Sequence, residues 1–304
     1  MGGLVGGRLS VVGNDVIFVV RPHTLVSYPR AVHVDSTVYG PFDAPVRVTE
    51  RLVEPVDVLW VTCKATTLEA ALLSAAPDDI GDPLVVPLLN GLDHISVLRQ
   101  RYGMSAVVPG AIRTESTRVA PGHIVHNGWH VLQTDRGSSN GMVPSEPMQL
   151  ASDGPRLDDV RALAGDLRSA GIGCQLWPDE GQVVWQKLAI LAPYALATSA
   201  VGGPIGLVRA NKSVLFHLRR ATLETVDVAD SLGVRLDLDK VMATLEGYPD
   251  AMRVSMERDL TSGADLEIAN IADPIVREGR AHGISVESME WLREQALSRL
   301  AARA

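Results

Sequence analysis

Apolar residues follow two different patterns along the chain, and the change falls near its middle. Up to about residue 177, short runs rich in valine, isoleucine and leucine alternate with segments of helical periodicity. This alternation is typical of a parallel sheet buried on both faces. From residue 179 onward, apolar positions recur at helical spacing. The pattern predicts an α/β Rossmann domain over residues 1–178 and an all-α domain over residues 179–304.

The first domain is predicted to contain apolar strands, helices and one hairpin. Asn127-Gly128 lies between two apolar runs and predicts a hairpin turn within residues 122–132. Residues 134–154 are rich in serine, glycine, asparagine and proline and are predicted to be the least structured. The predicted strands cover residues 16–20, 56–62, 83–89 and, as a weaker run, 106–108, and the predicted helices cover residues 67–76 and 157–170.

The second domain is predicted to be helical throughout. The candidate helices cover residues 183–200, 213–232, 238–245, a short segment near Asp265, 272–283 and 286–302. The last of these could pack on its own core or against a second copy of the chain, so a homodimer is possible. Residues 188–208 carry no charge but contain prolines and glycines, which favours a buried helix followed by a loop over a membrane span.

Composition narrows the classes of function. Lysine and arginine total 28 against 36 acidic residues, a net charge of −8, which argues against a binder of nucleic acid or anionic membranes. Cys63 and Cys174 make no disulfide framework, and with no signal-peptide pattern they fit the cytoplasm. No cysteine and histidine cluster has zinc spacing, so no metal site is predicted.

The glycine-rich start partly matches a dinucleotide-binding fingerprint. Gly3 and Gly6 stand at its second and third glycines, which allow close approach to a pyrophosphate and close packing of helix on strand. Met1 stands at the first, and the strand that should precede it is missing. We therefore expect that the start codon is placed too late and that the native product begins with an apolar strand and Gly-x-Gly.

Three residues at the ends of predicted strands are candidates for ligand contacts, because open α/β sheets bind ligands at the carboxyl ends of their strands. Arg21 closes the run 16–20, where a basic residue accommodates a 2′-phosphate, so it favours NADP(H) over NAD(H). Lys64 follows the run 56–62 and can reach a phosphate or carboxylate. Asn90 follows the run 83–89 and can position a carboxamide or carbonyl, although Asn-Gly alone commonly marks a turn.

With these motifs in order, the chain resembles the ketopantoate reductases (2-dehydropantoate 2-reductases) over nearly its whole length. That family pairs a Rossmann domain with a helical domain like the C-terminal domain of 6-phosphogluconate dehydrogenase. The matching pieces are Gly3-Leu4-Val5-Gly6-Gly7, Val61-Thr62-Cys63-Lys64-Ala65, Leu89-Asn90-Gly91-Leu92, Pro121-Gly122 with His126, Trp185-Gln186-Lys187-Leu188, and Ser255-Met256 with Asp259 and Leu266-Glu267-Ile268.

The resemblance implies a cytoplasmic, NADPH-dependent reduction of 2-dehydropantoate to (R)-pantoate in pantothenate biosynthesis. It implies that Lys187 is the general acid and that Glu267 holds the substrate's hydroxyl or orients the lysine. Ser255 would bind the substrate carboxylate, and Asn90 would help position nicotinamide and substrate. The chemistry is coherent, because an ammonium group stabilises the charge that hydride transfer builds on a carbonyl oxygen and then supplies the proton.

On the cofactor side, the resemblance implies roles for Gly3, Gly6, Arg21, Lys64 and Asn90 in holding NADP(H). The bland interpretations are an exposed loop arginine at position 21, a lysine at position 187 that extends its ammonium to solvent, and a surface glutamate at position 267. For each of these residues, such a structural interpretation is an alternative to a functional role. The ordered set of motifs favours the functional role in each case.

Several positions depart from the family pattern. Leu191, Ala195 and Met252 stand where the family has asparagines that bind the polar end of the substrate, and Pro193 lies inside the helix of Lys187, where it should kink it. These replacements make one side of the site apolar. They predict that the acid and cofactor machinery is kept while the substrate is different or less polar.

Three readings of function remain open. The first is a reductase of a 2-oxo acid, with 2-dehydropantoate as the family default or with a less polar ketone. The second is a protein that binds NADP(H) without catalysis. The third is a dehydrogenase of the hydroxyacyl type, which requires a catalytic histidine–glutamate pair. No histidine of the chain lies in such a motif, which argues against this class.

Overall fold

The computed structural model describes residues 1–129, 147–264 and 266–302, with the side chains of residues 129 and 262 excepted. These residues form two compact units. Two short segments of the N-terminal half, Lys64–Thr66 and Asn90–Asp93, group with the second unit, together with the chain from Gly181 onward. The predicted domain boundary between residues 178 and 179 assigned these two segments to the first domain. Of the predicted loop at 134–154, residues 134–146 lie outside the described residues, while residues 148–151 form a buried strand, so the prediction is wrong there. Asp265, near which a short helix was predicted, also lies outside the described residues.

The first unit contains the strands. They are β1 (Ile17–Val19), β2 (Ala31–Ser36), β3 (Phe42–Pro45), β4 (Arg47–Thr49), β5 (Val58–Val61), β6 (Leu84–Pro87), β7 (Gly110–Ile112), β8 (Thr114–Ala120), β9 (His123–Trp129), β10 (Met148–Ala151) and β11 (Cys174–Trp177). Its helices are α1 (Gly2–Val11), α2 (Pro22–Leu25), α3 (Leu68–Leu72), α4 (Pro77–Ile80), α5 (Asp93–Tyr102) and α6 (Leu157–Ser169), and a 3₁₀ turn covers Ala65–Thr67.

Parallel pairing joins the apolar strands of the first unit. β1 pairs with β4, β5 pairs with β6, and β10 pairs with β11, all in parallel register. Val5 and Leu9 of helix α1 belong to the same buried cluster as Val86 of β6 and as Leu163 and Leu167 of α6. Apolar strands covered by helices are what the continuous hydrophobic runs predict. Among the described residues, no strand precedes α1, and the chain enters directly into this helix.

A second, four-stranded sheet of the first unit has the order β3-β2-β9-β8. Its β2–β9 pair is parallel and its β2–β3 and β8–β9 pairs are antiparallel. Val32, Val34 and Ile124 are buried on one face, while His33, Asp35 and their neighbours lie on the other. This alternation is typical of a sheet with one solvent-exposed face.

The hairpin predicted around Asn127-Gly128 is wrong in its turn. Both residues lie inside β9, where Gly128 pairs with Glu115 of β8 and Asn127 falls at a register shift, and the turn of the hairpin falls at Pro121-Gly122. Gly122 has φ +70°, and a Cβ there would lie 2.2 Å from Cγ of Pro29. A glycine at this turn is required by both conformation and space.

Other elements differ in extent from the sequence prediction. Residues 106–108 form no strand, and Val107 makes a single bridge to Val85. The helix predicted over 67–76 is only one short turn after a 3₁₀ turn, because it ends at Leu72. The apolar stretch 188–208 is not simply a helix and a loop, since a further short helix begins at Ile205.

The second unit is helical. Its helices are α7 (Glu180–Val201, with Glu180 itself counted in the first unit), α8 (Ile205–Ala210), α9 (Lys212–Ser231), α10 (Leu238–Gly247), α11 (Ser255–Ser262), α12 (Ile268–Ala281) and α13 (Glu287–Ala301). Helix α9 is central and packs against α8, α10, α12 and α13. In the described ranges no helix is apolar over a length that would cross a bilayer.

A buried carboxylate joins two of these helices. Glu224 of α9 is 4% exposed. It accepts hydrogen bonds from the backbone amides of Ser288 at 3.0 Å and Met289 at 2.9 Å. These are donors in the first turn of α13, which have no partner within the helix. The acidic side chain therefore caps α13 from a neighbouring helix, where the positive end of the helix dipole favours it.

Candidate active site

Glu267 is the residue around which the predicted site assembles. It directly precedes α12 and is 8% exposed. Its Oε1 accepts the backbone amide of Ala65 at 2.9 Å, and its Oε2 accepts Nδ2 of Asn90 at 3.2 Å. A buried carboxylate requires such donors, since an unpaired charge would be costly to bury. Glu267 thereby joins the segments that follow β5 and β6.

The segment after β6 fits closely against α12. Gly91 has φ +88°, and a Cβ at this position would lie 2.1 Å from the carbonyl oxygen of Asn270. Two residues further, Asp93 pairs with both terminal nitrogens of Arg277 at 2.7 and 3.1 Å. Hydrogen bonding to Asp93 raises the pKa of the Arg277 guanidinium. Asn90 is therefore held by contacts on both sides.

Lys64 pairs with a carboxylate that the sequence analysis quoted but did not assign. Its Nζ lies 2.9 Å from Oδ2 of Asp259 in α11. The side chains are 37% and 24% exposed, so the pair is partly screened by solvent. The geometry makes Asp259 an acidic partner for the lysine that the resemblance places on the cofactor side.

Helix α11 also carries Ser255 and Glu257, a buried carboxylate that pairs with the half-exposed Arg253 just before the helix. Ser255 is its first residue and is exposed. Glu257 is buried and accepts two hydrogen bonds from Arg253, at 2.7 and 2.6 Å. Burial acts to raise the pKa of the Glu257 carboxyl, but the hydrogen bonds and charge of Arg253 outweigh it and lower that pKa. The ion pair fixes the start of the helix on which Ser255 lies.

Lys187 lies on α7, half-buried between buried Trp185 and Leu188. Residues four apart share a helix face, so Lys187, Leu191 and Ala195 follow one another along one side of α7. Ala195 is fully buried and Leu191 half-buried. The helix continues through Pro193 to Val201. The proximity of Lys187 and Ser255 to Glu267 stays a prediction.

The remaining candidates belong to the first unit. Gly6 packs where α1 crosses β1, since a Cβ there would lie 2.5 Å from Cε1 of Phe18. A Cβ on Gly3 would lie 2.7 Å from two side-chain carbons of Ile124. Arg21 is exposed, two residues after the end of β1, and stands directly before α2, where its side chain makes no capping hydrogen bond. Gly6 thus has the helix–strand packing that the third glycine of the fingerprint provides.

Comparison with known proteins identifies the family. Residues 1–138 match the family Ketopantoate reductase PanE/ApbA, and residues 181–296 match Ketopantoate reductase PanE/ApbA C terminal. The 2-dehydropantoate 2-reductase of Mycobacterium tuberculosis is 31% identical over 247 residues, which cover 79% of this chain and 76% of that protein. The chain belongs to the ketopantoate reductase family. It is therefore an oxidoreductase that acts on a CH–OH group, in a family that uses a nicotinamide cofactor.

Two solved structures show the same fold. The PanE/ApbA family ketopantoate reductase from Ralstonia eutropha JMP134 superposes with a TM-score of 0.81 at 22% identity, covering 99% of this chain and 97% of that one. D-mandelate dehydrogenase, solved with NADH and anilino(oxo)acetate, superposes with a TM-score of 0.84 at 18% identity, covering 99% and 96%. The predicted fold class, a Rossmann domain followed by a helical domain, is confirmed.

Sequence reasoning missed the residues that hold the candidates in place. Asp259 lies in the motif that begins at Ser255. Its spacing of four residues from Ser255 would place both side chains on one helix face, and this spacing is a signal that could have found it. Arg277 and Asn270 carried no signal, because their partners lie about 180 positions away in the chain. Such pairings depend on tertiary contacts that periodicity does not describe.

Proposed function

We propose that this ketopantoate reductase family member reduces a 2-oxo acid to the 2-hydroxy acid with NADPH, and that Lys187 is its general acid. The observation that carries the proposal is the double contact of Glu267 with the Ala65 amide and the Asn90 side chain. It brings together three motifs that lie far apart in the sequence. A chain that only needed to fold would have no need of a buried carboxylate and an amide side chain at this place.

Lys187 has the chemistry that the step requires. When bound, a reduced nicotinamide supplies the hydride to the carbonyl carbon. Negative charge then develops on the carbonyl oxygen, where the Lys187 ammonium stabilises it and donates a proton. Half-burial on α7 supports this role, because a partly desolvated ammonium interacts more strongly with a developing charge than one in water.

Glu267 and Asn90 position the reacting groups. Each carboxylate oxygen of Glu267 has one observed donor and can accept another. The remaining capacity suits the substrate's hydroxyl or the Lys187 ammonium. Asn90 donates through Nδ2 to Glu267, which leaves its carbonyl oxygen oriented as an acceptor for a carboxamide. Ser255, exposed at the first position of α11, is a hydroxyl donor for the substrate carboxylate.

The residues present fit a dinucleotide. Helix α1 begins in the glycine-rich segment, and the amides of a first helical turn are anion ligands. Phe18 and Ile124 fill the space beside Gly6 and Gly3, so side chains there would force the helix off its strands. Arg21, exposed after β1, supports NADP(H) over NAD(H), because its guanidinium can pair with a 2′-phosphate. Lys64 adds a second cation to the cofactor side.

A second candidate substrate class is a less polar 2-oxo acid. Leu191 and Ala195 share the face of α7 that carries Lys187, and the carbonyl of Met252 accepts the Tyr194 hydroxyl of the same helix at 3.3 Å. The three positions that depart from the family pattern therefore lie on or against α7. Apolar side chains there remove hydrogen bonds that the hydroxyl-bearing end of 2-dehydropantoate would otherwise receive.

The test is NADPH oxidation followed at 340 nm with 2-dehydropantoate and with apolar 2-oxo acids of similar size. Turnover of any of them that is lost in Lys187→Ala, while NADPH still binds, supports the proposal. Efficient turnover of 2-dehydropantoate at micromolar concentration would remove the second candidate. Tight NADPH binding without turnover of any 2-oxo acid would favour the non-catalytic alternative and contradict the proposal.

A further inference from the structure

Two histidines and two aspartates meet on the exposed face of the four-stranded sheet. His33 lies beside His123 in the parallel β2–β9 register and opposite Asp43 in the antiparallel β2–β3 register. Asp35 follows His33 by two residues and so shares its face. The two imidazole rings are 5.1 Å apart between centroids. The ligand atoms of His33, Asp35 and His123 lie within 4.8 Å of one another.

The hydrogen-bonding positions around His33 require a cation. Nδ1 lies 2.8 Å from Oδ1 of Asp43, and Nε2 lies 3.3 Å from Oδ1 of Asp35. A neutral imidazole has one N–H and one lone pair, so it can satisfy only one of two flanking carboxylates. The other carboxylate then faces a lone pair. Either a second proton or a metal ion resolves this repulsion.

Asp35 stands between two imidazole nitrogens. Its Oδ2 lies 2.8 Å from Nε2 of His123, on the side away from His33. The Nε2 atoms of both histidines therefore point toward one carboxylate. Two imidazole nitrogens and a carboxylate oxygen are a ligand set that zinc and related ions prefer.

Asp43 is hydrogen-bonded to the ring nitrogen of His33 that faces away from Asp35. A metal-bound histidine commonly donates its other N–H to a carboxylate, which fixes the tautomer and the ring orientation. The Asp43 carboxylate at Nδ1 of His33 holds that position and leaves the Nε2 lone pair for a metal. Tetrahedral bonds of about 2.0–2.1 Å place ligand atoms about 3.4 Å apart. The four side chains are 39% to 71% exposed and can close by the required ångström or so.

We propose that His33, Asp35 and His123 bind one divalent transition-metal ion of the zinc class, with Asp43 orienting His33. The site links β2 to β9 on the exposed face of their sheet, and water completes its coordination. Neutral histidines leave two negative charges here, which the ion balances. The sequence analysis predicted no metal site because the ligands come from strands almost 90 residues apart, without motif spacing.

The experiment titrates ZnCl₂ into untagged, EDTA-treated full-length protein at pH 7.5 by calorimetry. CoCl₂ serves as the spectroscopic probe and MgCl₂ as the negative control. The variants are H33Q, H123Q and D43N, with H282Q as the matched control because His282 is an exposed histidine on the helical unit. Circular dichroism of each metal-free variant establishes that it is folded.

We expect one zinc ion per chain with a dissociation constant in the micromolar range or below, and visible cobalt absorption of a four- or five-coordinate site. H33Q and H123Q should each weaken binding at least 30-fold, D43N about 10-fold, and H282Q not at all. Absence of saturable binding by the unchanged protein, or binding by folded H33Q and H123Q as tight as that of the unchanged protein, would overturn the proposal and leave a protonated histidine–aspartate network. The outcome is independent of reductase activity, so it does not depend on the proposed function.

Discussion

Replacing Glu267 by glutamine tests the centre of the candidate site. The change preserves shape and removes one charge. Glutamine keeps a carbonyl oxygen for either the Ala65 amide or the Asn90 Nδ2 group, but it presents its own NH₂ to the other donor. One hydrogen bond to a charged acceptor, which contributes about 1.5–3 kcal/mol, is lost. Because the residue is only 8% exposed, water does not replace it.

We therefore expect a loss of about 2 kcal/mol in the free energy of unfolding, or a fall in Tm on the order of 5 °C. We expect a larger effect on catalysis. If Glu267 positions Asn90 and the acid, a misplacement on the order of 1 Å lowers kcat/KM about 100-fold. Thermal denaturation and NADPH oxidation on the same preparations measure the two effects separately.

Glu224→Gln is the matched control. Glu224 is a second buried glutamate of the helical unit that accepts two hydrogen bonds, from Ser288 and Met289. Its replacement should lower Tm by a similar amount. It should change kcat/KM by less than about 2-fold, because Glu224 caps a helix and has no predicted role in the candidate site. Equal losses of kcat/KM in both variants would show that Glu267 acts only through stability. An unchanged Tm in Glu267→Gln would refute the hydrogen-bond reasoning itself.

Three further predictions concern other parts of the chain. Gly91→Ala should cost several kcal/mol and most of the activity, because a Cβ would meet the Asn270 carbonyl at 2.1 Å with φ at +88°; denaturation curves and turnover with 2-oxo acids check this. Arg21→Ala should raise the KM for NADPH about 10- to 100-fold and leave that for NADH nearly unchanged; an equal rise for both would contradict the 2′-phosphate role. Burial lowers the pKa of His126 from its usual value of about 6.5. The unfolded chain therefore binds that proton more readily, so stability is full above about pH 6.5 and falls as the pH drops from there toward the folded-state pKa. His126→Gln should flatten this fall in urea denaturation at pH 5.5 and 7.5, and an unchanged slope would count against it.

The parts of the fold that the sequence predicted are those with a continuous apolar run or a clear helical period. Strands β5 and β6 and helices α7 and α9 have continuous or periodic apolar patterns, and the structure places them within a few residues of the prediction. Strand β2 was missed although its residues alternate between buried and exposed positions. Strand β3 was also not predicted; Pro41 precedes it and Pro45 is its last residue, and proline is typical of turns and strand edges.

Local signals failed where tertiary contacts decide the conformation. Asn127-Gly128 is a strong turn dipeptide, yet Gly128 lies in β9, because β9 continues past its pairing with β2 and there pairs with Glu115 of β8. Helix α11 was missed because it is short and mostly polar, with only Met256 and Leu260 as buried apolar residues. It is stabilised by Arg253 and Glu257 and by the pairing of Asp259 with Lys64, about 195 positions away.

For the candidate site, motifs predicted which residues matter, but not what holds them. Asn90, Gly91 and Asp93 contact Glu267, Asn270 and Arg277, respectively. The first three lie between the end of β6 and the start of α5, and the other three lie at the start of α12 or within it. The loop can keep its conformation only while a carboxylate, a close carbonyl and a guanidinium stay in register along α12. Two motifs that appear independent in the sequence therefore form one structural element. A substitution in either must be judged by its effect on the other, which explains why a glycine with no chemistry of its own stands beside the functional asparagine.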